Sequence, residues 1–356
     1  MENTREYYIP SPVLNKKEKE LLNSLTEQYE KLCKPGLLDK AGKKVGEMMP
    51  AKMKEVLDSA KSGITKQELY AQCMKVVADG FGVVEKYAAN MTLSESAVIK
   101  NANKLTQKNT IESLDEICLL RAYSVGKGVS KYKKMDLGIA LVEGAATGAF
   151  GFAGLPFNLV LCVFLFYRAV QSVGMIYGYD VKNDPAELVI AEEVLMNALN
   201  PNGEASDEIA GIVGKVMVMT EVTTVKQMSK KSWQAMAEHG GVPLLMAQMR
   251  ALANAAAKKA VDKAGKKSLE GHLFENVFTQ IGKKLTKEAA GKSAIGIGAI
   301  IGALFDTSQM NKVIDYANVF YGKRFIFEKE ERINTLLGEN DDIIDVDESE
   351  LKKVDE

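Results

Sequence analysis

The groups in this chain best placed to do chemistry are charged and polar residues at the edges of two long apolar runs. Glu143 precedes the first run, Arg168 and Gln171 follow it, Asp306 closes the second, and Arg324 comes shortly after Phe320-Tyr321. A charge that folds into apolar surroundings needs a partner. Glu143 or Asp306 is therefore expected to pair with Arg168 or Arg324. Such pairs would fix helix packing; the alternative chemistry is an anion, such as a lipid headgroup, held by Arg168.

Other chemistry finds little support. The only histidines, His239 and His272, stand 33 positions apart, which rules out a multi-histidine metal cluster. HExxH and GxSxG are absent, and His239, directly before Gly240-Gly241, reads as a helix C-terminal residue. Cys33, Cys73, Cys118 and Cys162 form no CxxC pair, so a disulfide framework and a cysteine-rich zinc site lack support. A reducing cytosol is the expected setting. Glycines 148, 151 and 154 do not spell GxGxxG, and "VDKAGKKS" lacks the leading glycine and the Ser or Thr of a phosphate loop. No cofactor is expected. Met217, Met219, Met228, Met236, Met246 and Met249 could line an adaptable groove, but their helical spacing reads as core.

The apolar runs must position the charges. The first, "GAATGAFGFAGLPFNLVLCVFLFY", covers 144–167 without a charge and carries Gly144, Gly148, Gly151 and Gly154. Its length suits a membrane span, and Gly144-xxx-Gly148 suits close helix packing. Pro156 and Asn158 break it into arms of about a dozen residues. At about 1.5 Å per residue each arm reaches roughly 18 Å, too short to span alone. The second run, "SAIGIGAIIGALF" at 293–305 with Gly298 and Gly302, is shorter still. Three readings stay open: one kinked span, a hairpin that dips into a bilayer, and a buried hairpin in a helical core. The last needs no ligand, because small residues on facing helices let backbones approach while Phe157, Leu161, Phe164 and Leu165 fill the space.

The rest of the sequence reads as helices. Leu21, Leu22, Leu25, Tyr29 and Leu32 recur at helical spacing after Asn15, and Thr65 with Glu68 is expected to cap a helix running through Val84. A helix is predicted from Thr92 to Asn103, and another pattern runs through Ile111, Leu114, Ile117, Cys118 and Arg121-Ala122. Asp180 to Pro185 predicts a turn that restarts a helix toward Leu199. Further helices are expected over 207–227, 242–267 and from Asp306 onward. No sustained strand alternation occurs. The fold class is all-α: a multi-helix globular bundle with two Gly/Ala-rich helical hairpins in or near the core. Residues 1–12 read as a flexible leader and 13–336 as the helical domain, with a lobe boundary near the loop 200–206. Residues 337–356 read as an acidic disordered tail. That tail holds nine Asp or Glu and two Lys, which leaves 44 basic against 38 acidic residues in the body. So mild a positive charge does not announce nucleic-acid binding, and it tolerates an anionic membrane surface.

"KLCKPGLLDKAGKKV" with "MMPAKM", then "LVEGAATGAFGFAGLPFNLVLCVFLFYRAVQSVGMIYGYD", and finally "KKLTKEAAGKSAIGIGAIIGALFDTSQMNKVIDYANVFYGKRF" give the chain a family resemblance. Over roughly 25–330 it resembles the EcsC protein family. The family commonly has a proline before the last glycine-rich helix and Asn near position 306; Gly291 to Ser293 and Asp306 depart from that pattern. The family takes its name from a bacterial operon that also encodes an ABC transporter, which implies membrane proximity. The resemblance assigns no enzyme activity, cofactor or catalytic residue. The expected protein is non-enzymatic and cytoplasmic, peripherally associated with the inner face of the cell membrane, and binds lipid or an envelope or ABC-transporter partner. The alternatives are a soluble cytosolic scaffold or regulatory protein and an unrecognised small-molecule enzyme.

Overall fold

The computed structural model describes residues 6–33, 66–88, 93–134, 154–199, 201, 207–220, 242–264, 269–289 and 307–338. Among these the chain forms eleven α-helices and one 3-10 helix, with no strand. In chain order they are α1 (Lys16–Cys33), α2 (Lys66–Ala88), α3 (Glu95–Asn103), the 3-10 helix (Asp115–Leu119), α4 (Ala122–Lys134), α5 (Gly154–Ile176), α6 (Pro185–Leu199), α7 (Glu208–Val218), α8 (Val242–Ala264), α9 (Leu269–Ala289), α10 (Thr307–Phe327) and α11 (Lys329–Leu337).

Local chemistry sets many of the boundaries. Asn15 and Glu18 close a reciprocal box at the start of α1, each side chain accepting the other's backbone N–H at 3.0 Å. Ser94 caps α3 and Asp207 caps α7. The expected turn before α6 is built on Asp180, whose Oδ1 accepts the N–H of Lys182 and Asn183. Pro185 then opens the helix, where its missing donor is harmless. Pro156 lies in the first turn of α5, so "GLPFN" marks the beginning of that helix. Gly144, Gly148, Gly151, Gly298 and Gly302 lie outside the described residues, as do Glu143, Asp306, Thr65 and most of the 200–206 loop.

The helix expected through Ile111–Ala122 is two pieces, the 3-10 helix and α4, with Leu120 extended between them. Long-range partners take the backbone groups at the break. Lys329 donates to the Leu120 carbonyl at 2.6 Å, and the Ala122 N–H donates to Glu18 at 3.1 Å. The described part of the expected leader also has partners: Asn109 pairs with both backbone groups of Tyr8, and Arg121 donates to the carbonyls of Pro12 and Val13.

Helix α5 stands in the centre, with α2, α3, α4, α6 and α10 around it. Among the described residues, Leu159–Ile176 is the one stretch long and apolar enough to cross a membrane, yet 83% of it is buried inside the bundle. Helix α2 runs parallel to α5: Cys73 meets Pro156, Phe81 meets Phe164, and Glu85 meets Arg168. Helix α9 runs antiparallel to it, through Glu270 on Arg168 and Phe274 on Phe164. Helix α4 is antiparallel to both α5 and α10, with Gly128 beside Ile176, Tyr132 beside Ser172 and Lys133 paired with Asp315. Helices α5 and α10 are therefore parallel, and their C-terminal halves meet where Gly174 lies against the Tyr321 ring. Helix α1 is antiparallel to α10, through Thr26 on Lys323 and Tyr29 on Tyr316.

These directions give the bundle two different ends. At the upper end lie the C-termini of α5 and α10, the start of α1 and helix α11. At the lower end lie Cys33, Lys66, Lys134, Gly154, Ala289 and Thr307, the termini of six helices.

Candidate functional site

The upper end is built on "FYGKRFIF" in α10, where two cations sit in an otherwise apolar stretch. Both are fully buried, as is Lys329 at the start of α11. Arg324 donates from its two terminal nitrogens to the two Glu187 oxygens at 2.6 and 2.8 Å, and from Nε to Glu328 at 2.9 Å. The Tyr179 hydroxyl donates to the second Glu328 oxygen at 2.9 Å, and its ring lies against Arg324 and Arg332. Burial alone would raise the Glu187 carboxyl, but the Arg324 guanidinium overrides it and holds it below the usual range.

Gly178 completes this corner with φ +82°, and a Cβ there would fall 2.5 Å from the Leu114 carbonyl oxygen. Arg332 donates to the carbonyls of Tyr177 and Gly178. Beside it, the buried Glu18 accepts from Lys329 at 2.8 Å, Arg121 at 2.8 Å and the Ala122 and Asn15 backbone. Burial pushes Glu18 up, and these donors bring it below its ordinary range.

Lys323 is a different case. Its Nζ lies 2.6 Å from Thr26 Oγ1 and 2.6 Å from the Met219 carbonyl, and it also meets the Met217 carbonyl, at the C-terminal end of α7. None of these partners is a carboxylate. Burial pushes the amine down to about 7, opposed only by the more distant Glu30. Either protonation state satisfies the geometry: the ammonium donates to all three oxygens, while the neutral amine donates to the carbonyls and accepts from Thr26.

A third polar cluster joins α2, α5 and α9 about midway along the bundle. Arg168 Nη1 lies 2.7 Å from Glu270 Oε1 and 3.0 Å from Gln171 Oε1, Gln171 donates to Glu270 at 3.0 Å, and Glu85 stands 3.7 Å from Nη2. Two carboxylates face one guanidinium here, which makes the cluster a poor seat for an anion. The rings of Phe81, Phe164 and Phe274 pack around it with centroids 5.1 to 5.6 Å apart.

The structure thus brings Arg168 and Gln171 together and places Arg324 in a separate cluster. The carboxylates that meet the two arginines are Glu270 and Glu85, and Glu187 and Glu328. Sequence reasoning missed Glu18, Glu187, Lys323, Glu328 and Lys329. A signal for one of them existed: "PAELVIAEEVLMNAL" has no continuous polar face, so its glutamates had to be buried. Glu192 is one of these. It is 4% exposed and, among the described residues, has no hydrogen-bond donor. Burial, with Asp207 adding to it, pushes its carboxyl up to about 8.

His272 is half-buried on α9, and His239 lies outside the described residues. Met217, Met219, Met246 and Met249 are core. Among the described residues no three His, Cys, Asp or Glu side chains converge as a metal site.

The sequence profile of the EcsC protein family matches residues 13–326, from the turn before α1 to the end of α10. The chain belongs to the EcsC protein family. Within this EcsC chain the match takes in Glu18, Arg168, Glu187, Lys323 and Arg324, while Glu328 and Lys329 follow directly after it. No curated protein and no solved structure matches the chain.

Proposed function

We propose that this EcsC-family protein is non-enzymatic and works against a membrane, binding lipid or an envelope or ABC-transporter partner through the lower end of its bundle. One observation carries the reading. Cys33, Lys66, Lys134, Gly154, Ala289 and Thr307, which flank segments 34–65, 135–153 and 290–306, share that end. The sequence of the last two segments includes the uncharged glycine-rich runs 144–153 and 293–305. Gly154 and Thr307, the first described residues after the two runs, open α5 and α10, which are parallel neighbours. In this reading α5 builds the core and the runs before α5 and α10 meet the membrane or its protein. The upper-end ion pairs answer one another within the fold, which supports a structural rather than a catalytic role for them.

A soluble cytosolic scaffold is the second reading, favoured by the burial of α5. Flotation of the purified protein with neutral and anionic liposomes, at low and high salt, separates the two. Co-flotation is expected. If no lipid binds under any condition, direct membrane binding fails and the scaffold reading takes its place.

A further inference from the structure

We infer that the outer face of α4 is an anionic-lipid contact, with Lys127, Lys131 and Lys134 seating the lower end of the bundle on a negatively charged bilayer; this rests on the membrane reading above. Helix α4 carries four lysines and no acidic residue. Lys133 is committed to the fold, paired with Asp315 of α10 at 2.6 Å. The other three are exposed, and among the described residues none meets a carboxylate. Their spacing of four and three residues puts them on one face, in a stripe about 10 Å long that finishes at the lower end.

Cations in a last turn favour any helix C-terminus. That accounts for Lys131 and Lys134 but not for Lys127, which stands further back, nor for the absence of acids on the whole helix. Helices α1 and α3, which pack on α4, carry exposed acids at Glu20, Glu27, Glu30 and Glu95. A phospholipid surface fits better than another polyanion because Lys134 leads directly into the sequence that holds the uncharged glycine-rich run.

Full-length protein is floated with vesicles of phosphatidylcholine alone and of phosphatidylcholine mixed with phosphatidylglycerol. Wild type is expected to prefer the mixed vesicles and to lose that preference in high salt. K127Q/K131Q/K134Q is expected to weaken partitioning by about fivefold per lysine, so about 100-fold for three. K16Q/K17Q/K19Q removes the same charge at the upper end and is expected to leave partitioning unchanged. All six positions are exposed, and circular dichroism checks that both variants fold. Equal losses in both variants, or loss in neither, overturn the placement while the membrane reading stands. Equal binding of wild type to both vesicle types overturns it as well. Wild type that floats with neither overturns the membrane reading and this inference with it.

Discussion

Arg324 grips Glu187 with both terminal nitrogens, at 2.6 and 2.8 Å, across 137 residues of sequence and with both side chains out of water. The pair fixes the first turn of α6 against the last turns of α10. Arg324→Met would leave Glu187 buried and unanswered and strip Glu328 of its Nε donor, which is expected to cost about 3–5 kcal/mol. The double variant R324M/E187M removes the stranded charge and should recover a large part of that loss. Urea unfolding of the four members of the cycle measures the coupling. Strict additivity would show that the two groups do not stabilise each other.

Lys323 should make stability rise with pH. Burial holds its amine at about 7, against an ordinary lysine value of 10.5 in the unfolded chain. Between those values the unfolded chain binds the extra proton, so each pH unit adds about 1.4 kcal/mol to stability. Below pH 7 both states are protonated, and the contribution no longer changes. Unfolding of wild type and K323M at pH 7, 8 and 9 is the comparison. The variant is expected to lack this upward slope, and parallel curves would show that Lys323 keeps its proton.

Glu192 should act in the opposite direction. Its folded carboxyl is pushed up to about 8 from an ordinary 4.5, so across that window the native state holds a proton that the unfolded chain has released. Stability from this group is full below 4.5 and is lost as pH rises toward 8, at about 1.4 kcal/mol per unit. Glu192→Gln keeps the shape and removes the titration. Its gain in stability over wild type is expected to grow from pH 5 to 8 and then level off. A gain that is constant across that range would mean Glu192 is not the titrating group.

Local sequence set where several helices begin. Apolar spacing, Asn15, Asp207, the Asp180 turn and Pro185 act within one or two turns of chain, so α1, α6 and α7 begin where those residues direct. It also marked Arg168, Gln171 and Arg324 as polar groups among apolar neighbours. It could not choose their partners. A buried cation accepts any carboxylate that the packing delivers; Glu328 lies one turn on from Arg324, but Glu187 and Glu270 are delivered by helix directions. The same holds for Leu120 and Ala122, where distant Lys329 and Glu18 break a pattern that reads as one helix. Tertiary structure alone decided that α5 is a core helix, because its length and composition fit a bilayer equally well. It also set α5 and α10 parallel, and so brought the entries to both glycine-rich runs to one end of the bundle.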